Sequence, residues 1–506
     1  MMMKRKLLPA IAALLFILLL VLAVCGRRST EIYEIISEHH GGNRQTEEPV
    51  LLPEVPTHDE EPTDNPQEIK PSNTQSFQVV ALTSPCEGYN ETSQTPRASI
   101  SVDLAAQYLA ELEELWTRDG GALWGIPLHE PMIIACQATR HAVANMPDEG
   151  GIFTQYNGVY VGFLPEGQLI GNTAVTFGGR NWGMVTWDVM EDFADDKLER
   201  LRIMSHEAFH ATQEGLLPNV GGFGNAIEHM QAKEMRVNTH LEMNALFAAL
   251  GSTGKERLAA IHDALSIRAA RRHGSSMFLI GGENMFELSE GTALYTELRL
   301  NFSCMDEILA EICVRMNKHF GHSAAWLSFG YYAGAMYALL LDEFGVQWQE
   351  NIRPHTDLAN LLMRAAGIAE LKPWDEIDLY IYGYEKITEA ERAWADRLER
   401  MEKNVEIFFA PDRAFLEIPF DFTIPMDVFH TADQLFLPSG FLLSGSFVIE
   451  CIFGKLTITD GYLLRVFHAS RAHRVCAAEI EINGNRIVGS YWELILNEGF
   501  ELIPVG

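Results

Sequence analysis

The sequence predicts an α+β protein: a mostly helical domain with a small sheet towards its N-terminal end, followed by an antiparallel β-module. Three observations predict it. Apolar residues recur at helical spacing through most of residues 99–405. Within that span, 131–186 breaks into short apolar runs punctuated by glycine. After Val405 the texture changes to strand-length runs separated by turn dipeptides. The 506 residues are enough for two to four ordinary domains. The boundaries read 1–25, a signal peptide or membrane anchor; 26–98, an acidic proline-rich spacer; 99–405, the helical domain; and 406–506, the β-module.

Lys4, Arg5 and Lys6 precede an unbroken apolar run from Leu7 to Val24. That is a basic segment before a stretch long enough for a signal or a span. Cys25 follows at once, and the string Leu22-Ala23-Val24-Cys25-Gly26 resembles a bacterial lipoprotein signal. The departure is Val24, where such signals carry a smaller residue. A lipidated Cys25 and an uncleaved anchor helix both stay open. Either tethers the body to the membrane at the extracytoplasmic face of the cell envelope, since basic flanks stay inside. The spacer interleaves Pro49, Pro53, Pro56, Pro62, Pro66 and Pro71 with acidic residues. Such a composition buries too little apolar surface to offset its ordering entropy.

Along the body, Leu104, Ala105, Tyr108, Leu109, Leu112 and Leu115 predict a helix over 102–116. Strands are expected at 132–135, 158–163 and 184–187. Asp195 or Asp196 can cap a helix that runs to Gln213 and stops before Gly215. Further helices are expected at 226–250, 255–271, 283–300, 325–344 and 389–403. The β-module reads as strands at 414–422, 447–452, 455–458, 463–467, 477–482 and 491–496. Asp460-Gly461 and Asn483-Gly484 are its turn signals. Cys451 and Cys476 both fall in these runs; a disulfide between them and two free thiols both stay open.

The formal charge is −31. Residues 1–98 carry −5 of it and 406–506 carry −7, which leaves −19 in 99–405. A surface this acidic makes nucleic acid an unsuitable partner, because affinity there comes from neutralising phosphates with Lys and Arg.

The sharpest motif is His206-Glu207-Ala208-Phe209-His210. Residues four apart share a helix face, so both imidazoles can reach one metal ion, with Glu207 beside it as general base. A catalytic zinc takes three protein ligands and keeps one position for water. No third histidine follows at short spacing, so a Glu on a later helix is the remaining donor. Glu290 stands out in Glu287-Leu288-Ser289-Glu290-Gly291-Thr292-Ala293-Leu294-Tyr295-Thr296-Glu297, with Glu287 and Glu242 as rivals.

That string resembles the third-ligand helix of gluzincin metallopeptidases, whose aminopeptidase branch reads Asn-Glu-Gly-Phe-Ala before an aromatic. The resemblance spans roughly residues 180–345 and is superfamily-level. It implies a zincin-like fold, Zn2+ held by His206, His210 and Glu290, and a peptide or protein substrate. Tyr331-Tyr332-Ala333-Gly334 resembles the family's Tyr-x-Lys-Gly without the lysine. It implies Tyr331 as the phenol on the oxyanion. Trp182–Thr186 resembles the edge strand that pairs with extended substrate. The long gap from His210 to Glu290 and the lack of a Gly-x-Met-Glu-Asn amine anchor depart from the aminopeptidases. Two other classes stay open: a non-enzymatic envelope binding lipoprotein on the same scaffold, and a zinc hydrolase of a non-peptide amide or ester. Gln213, Glu214 and the remaining histidines read as surface residues.

Overall fold

The computed structural model describes residues 100–165, 167–217, 228–319, 328–408 and the strands between 416 and 504. All belong to the unit Phe77–Gly506. The expected anchor, Cys25 and the spacer lie outside the described residues. No helix among the described residues is long and apolar enough to cross a membrane.

The architecture is mixed α+β. Helix α1, Val102–Asp119, starts where the Ser101 hydroxyl accepts from the Leu104 amide and ends at left-handed Gly120. Its apolar residues at three- and four-residue spacing form the buried face.

A six-stranded sheet follows: β1 Met132–Ala135, β2 His141–Ala144, β3 Thr154–Tyr156, β4 Val159–Phe163, β5 Thr173–Phe177 and β6 Arg180–Thr186. Its order is β3-β4-β2-β1-β6-β5; β1 and β6 run parallel and the other pairs antiparallel. β1 is central and buried on both faces, which is why Met132–Ala135 is an unbroken apolar run. Met132 and Ile134 join the main core under the helices. Ile133 and Ala135 join a second cluster on the far face with Phe177, Trp182 and Met184.

Trp182–Thr186, expected at an edge, is not an edge strand. β6 lies inside the sheet, between β1 and β5. Gly178 and Gly179 both take positive φ, 56° and 80°, and make the two-residue turn that folds β5 back onto β6. The edge is therefore β5.

The sheet and the motif helix approach most closely along β6. Along β6, Trp182 and Met184 point to the far cluster and Val185 to the main core. Gly183 falls on the helix side. A Cβ there would lie 2.6 Å from both Ala208 Cα and Glu207 O. The motif helix α3, Lys197–Leu216, rests on the bare backbone at this point. Asp196 caps α3 by accepting from the Glu199 amide at 3.1 Å. Gly183→Val should push α3 off the sheet, because both opposing atoms are backbone. We expect a loss of about 1–3 kcal/mol together with weaker metal uptake, read by thermal melting and metal titration. A variant with wild-type values for both removes this contact from the account.

The helical half contains α2 Trp187–Asp192, α3, α4 Lys233–Leu250, α5 Gly254–Arg272 and α6 Met277–Phe286. A single π turn, Glu287–Gly291, leads into α7 Thr292–Asn301. Then come α8 Met305–His319, α9 Phe329–Glu343, α10 Trp348–Asn351, α11 Leu358–Ala365 and α12 Tyr384–Phe408.

After α12 come β7 Leu416–Ile418, β8 Asp427–Val428, β9 Asp433–Leu437, β10 Gly440–Cys451, β11 Gly454–Val466, β12 His473–Ile482, β13 Asn485–Ile487, β14 Trp492–Leu496 and β15 Phe500–Pro504. They form a second sheet, antiparallel except for β7 beside β14. Two expectations change. Asp460-Gly461 is not a turn but lies inside β11. Gly461 faces Gly445 on β10, where the register slips before Phe447, so the glycine marks a bulge. Cys451 and Cys476 sit on strands separated by β11, opposite Gly454 and Tyr462. Seven residues of strand lie between those partners, far beyond the roughly 7 Å Cα separation a disulfide allows.

Candidate metal centre

α3 presents His206 and His210 from consecutive turns, His210 lining a cleft, and the π turn brings Glu290 to meet them. The two Nε2 atoms lie 3.2 Å apart. Glu290 Oε2 is 3.5 Å from His206 Nε2 and 3.3 Å from His210 Nε2. These three side chains form a group that could hold a metal ion. The three separations are nearly equal, as in one face of a tetrahedron. A centre about 2.0–2.1 Å from each donor spaces its ligands by roughly 3.3–3.4 Å.

The rivals for the third position are occupied elsewhere. Glu287 makes two 2.6 Å bonds with Arg268. Glu242 accepts from Arg268 at 2.8 Å, from Arg271 at 3.0 Å and from the Tyr337 hydroxyl at 2.9 Å. Glu290 escapes that network because the π turn adds one residue to the helical repeat between it and Glu287, a device frequent at functional sites.

Glycine sets the distance between the π turn and α9. A Cβ on Gly291 would lie 2.6 Å from Gly334 Cα, and one on Gly334 would lie 2.5 Å from Glu287 O. This backbone-to-backbone approach places Tyr331 beside His206 and Glu290. Its ring stacks on His206, centroids 5.7 Å apart and 14° between planes. Its hydroxyl bonds to the Glu290 carboxylate, and burial with that carboxylate holds the phenol far above its ordinary pKa. Tyr331 is therefore a neutral donor at any physiological pH.

The cleft is open to solvent and has a volume of about 290 Å³. One wall is Asn172, Thr173 and Ala174 at the start of the edge strand β5; the floor is Glu207, His210 and Gln213; Ser289, Glu290 and Tyr331 close the far side. Burial raises the Glu207 carboxyl above its ordinary range, although the two imidazoles pull it down. Burial acts on Glu290 in the same direction, but its bonds to His206 and His210 win and hold it well below the usual carboxylate range.

Several residues around His206, His210 and Glu290 have roles that the sequence does not signal as plainly. Glu297 Oε2 sits 3.3 Å from His206 Nδ1 and is itself held by Arg202 at 3.0 Å and by Arg315. A carboxylate on the outer ring nitrogen of a ligand histidine fixes its orientation and raises its basicity. Glu297 lies seven residues after Glu290, two turns along the same helical face, and that spacing is its sequence signal. Gln213, expected at the surface, is buried, with Oε1 3.0 Å from His210 Nδ1. His240 is also buried, 3.2 Å from Glu391, and His229 bonds to Glu283 at 2.7 Å. Glu214 is exposed at the cleft rim, as expected.

The donor set is chemically suited to a divalent cation: two imidazoles, one carboxylate, and two further carboxylates within the same charge field. Burial alone would depress His206. Its bonds to Glu290 and Glu297, with the charge of Glu207, instead push it up to about 10. The site thus holds a proton on His206 at neutral pH, and a metal must displace it. Uptake at pH 7 should release at least one proton. Affinity should climb roughly tenfold per pH unit for each proton displaced, levelling towards pH 10. Calorimetric titration in buffers of different ionisation enthalpy reads this directly; heat independent of buffer contradicts it.

No family model, no curated protein and no solved structure matches this chain.

Proposed function

We propose that this chain is a zinc-dependent peptidase of gluzincin type, with a zincin-like helical domain and an N-terminal tether that holds it outside the cytoplasm. One observation carries the reading. Three donors of the zinc-peptidase set stand 3.2–3.5 Å apart, at the edge lengths of a zinc tetrahedron, with a half-buried Glu207 beside them in an open cleft.

His206, His210 and Glu290 are the residues that would hold the ion. Bound there, zinc supplies Lewis acidity to water and to a substrate carbonyl. Glu207 accepts the proton of the attacking water and returns it to the leaving amine. The elevated Glu207 pKa, a consequence of burial, suits a group that must both take and give a proton. Tyr331, kept protonated, donates to the oxygen on which negative charge develops. An extended substrate can add to the free edge of β5, which runs past the ligands at Asn172–Ala174 and lacks a strand partner on its outer side among the described residues.

Metal content and cleavage of a peptide library by the purified protein test the reading, beside Glu290→Ala. About one zinc per chain, cleavage abolished by chelation, and zinc lost in the variant are the expected results. Full zinc affinity in Glu290→Ala, or no zinc in the wild type, refutes it.

A further inference from the structure

Gln213 joins the second and third ligands through one amide. Its Nε2 lies 2.9 Å from Leu288 O, 2.8 Å from Ser289 O and 2.8 Å from Thr292 Oγ1. Main-chain carbonyls only accept, so the atom facing them must be the nitrogen. Thr292 agrees with this: its hydroxyl donates to Leu288 O at 2.6 Å, which leaves its lone pairs towards Gln213. The orientation of an amide is ordinarily ambiguous, but here three acceptors on one side settle it.

The consequence appears at the other end of the amide. Oε1 must face His210 Nδ1, 3.0 Å away, and an oxygen can only accept. His210 therefore carries a hydrogen on Nδ1, which leaves Nε2, the nitrogen facing Glu290, as the atom it turns to the site. Leu288 and Ser289 are the two residues immediately before Glu290. The same side chain thus fixes the tautomer of one ligand and holds the turn that delivers another.

We propose that Gln213 is the positioning residue that couples His210 to the Glu290 turn, so that the two ligands reach the metal as one unit. This rests on the metal reading above. Gln213 lies one turn beyond His210 on α3 and grips the π turn from the cleft side; Arg268 grips the same turn from the core side through Glu287. The ligand set is therefore assembled across two elements 75 residues apart by a bond that neither ligand makes.

Two variants test the role. Gln213→Glu keeps the shape but sets an oxygen against two carbonyls. Thr292→Val keeps the volume and removes one acceptor. Zinc and Co2+ affinities, the visible spectrum of the Co2+ form and melting of the metal-free protein are compared with wild type. Gln213→Glu should bind both metals about 10–100-fold more weakly and shift the Co2+ bands, while metal-free melting moves little. Thr292→Val should shift the same bands with a smaller loss of affinity. Wild-type affinity and spectrum in both variants overturn the coupling while leaving the metal reading standing. So does an affinity loss that only tracks melting, with the spectrum unchanged. A wild type that takes up no metal overturns both together.

Discussion

Glu207→Gln is expected to lower peptide hydrolysis by about 10²–10⁴-fold while metal content stays at that of the wild type. The amide fills the same space beside His206 and His210 but cannot accept a proton. Both effects are needed for the interpretation. A variant that loses metal as well has lost its site, not its base. The pH profile supplies a second test. Burial raises the Glu207 carboxyl, so its ionised form is reached only above the ordinary carboxyl range. The acidic limb of kcat/KM should accordingly rise at a pH above 4.5, the usual glutamic value, and should vanish from whatever activity the variant keeps. Activity within threefold of wild type in metal-loaded Glu207→Gln would remove Glu207 from the chemistry and favour a binding role for the scaffold.

The helices most legible in the sequence were those with a clear start and stop. α1 and α5 show apolar spacing and clear ends, and they form within a few residues of the expected limits. The expected 283–300 helix is present but begins earlier, at Met277, and is interrupted by the π turn. Nothing local in Glu287–Gly291 announces that turn; it is set by the Gly291–Gly334 contact with a helix more than thirty residues away. α2, α8, α10 and α11 have no counterpart among the helices expected from the sequence. The strand assignments failed where pairing decides. Trp182–Thr186 is apolar enough to be a strand, but whether it lies at an edge depends on β5 folding back through Gly178-Gly179. Asp460-Gly461 has turn chemistry and still sits inside a strand, because Gly445 faces it across the ladder.

At the site, the three side chains that come together were legible and the residues that hold them were not. His206 and His210 declare themselves by spacing four on one helix. Glu290 followed from the resemblance, and the structure brings it to both histidines. Glu242 and Glu287 look equally able to bind a metal in the sequence. What separates them is the buried arginines of α5, and a sequence does not say which carboxylates an arginine will claim. Gln213 reads as an ordinary polar residue at the end of an amphipathic helix. Its role depends on two carbonyls of the π turn, which no side-chain pattern can reveal.

Arg268→Met should be the most destabilising single change in the helical half. Arg268 is buried and links three elements: Glu242 of α4, Glu287 of the π turn and Asp357 at the start of α11. It also lies over the Tyr337 ring, 5.1 Å from the centroid. Arg271 and Arg272 can still serve Glu242. Glu287 then keeps only Arg272, 3.9 Å away. Breaking a buried pair from one side costs about 3–5 kcal/mol, because the remaining charge has lost its partner and cannot reach water. The pH dependence has a definite sign. Burial already raises Glu287 against the pull of Arg268, and losing Arg268 raises it further. A carboxyl whose folded pKa exceeds its unfolded value contributes stability fully below the unfolded value, about 4.5. That contribution is lost as pH rises through the folded value. The variant should therefore lose more stability, relative to wild type, at pH 8 than at pH 5. Adding Glu287→Leu removes the orphaned carboxylate, so the double variant should be more stable than Arg268→Met alone. Metal affinity separates the two grips on the π turn. If Arg268 only secures the core, the double variant regains metal affinity along with stability. If its bond to Glu287 also sets where Glu290 points, stability returns and affinity does not. Denaturant unfolding and zinc titration of the two variants at both pH values decide between these outcomes.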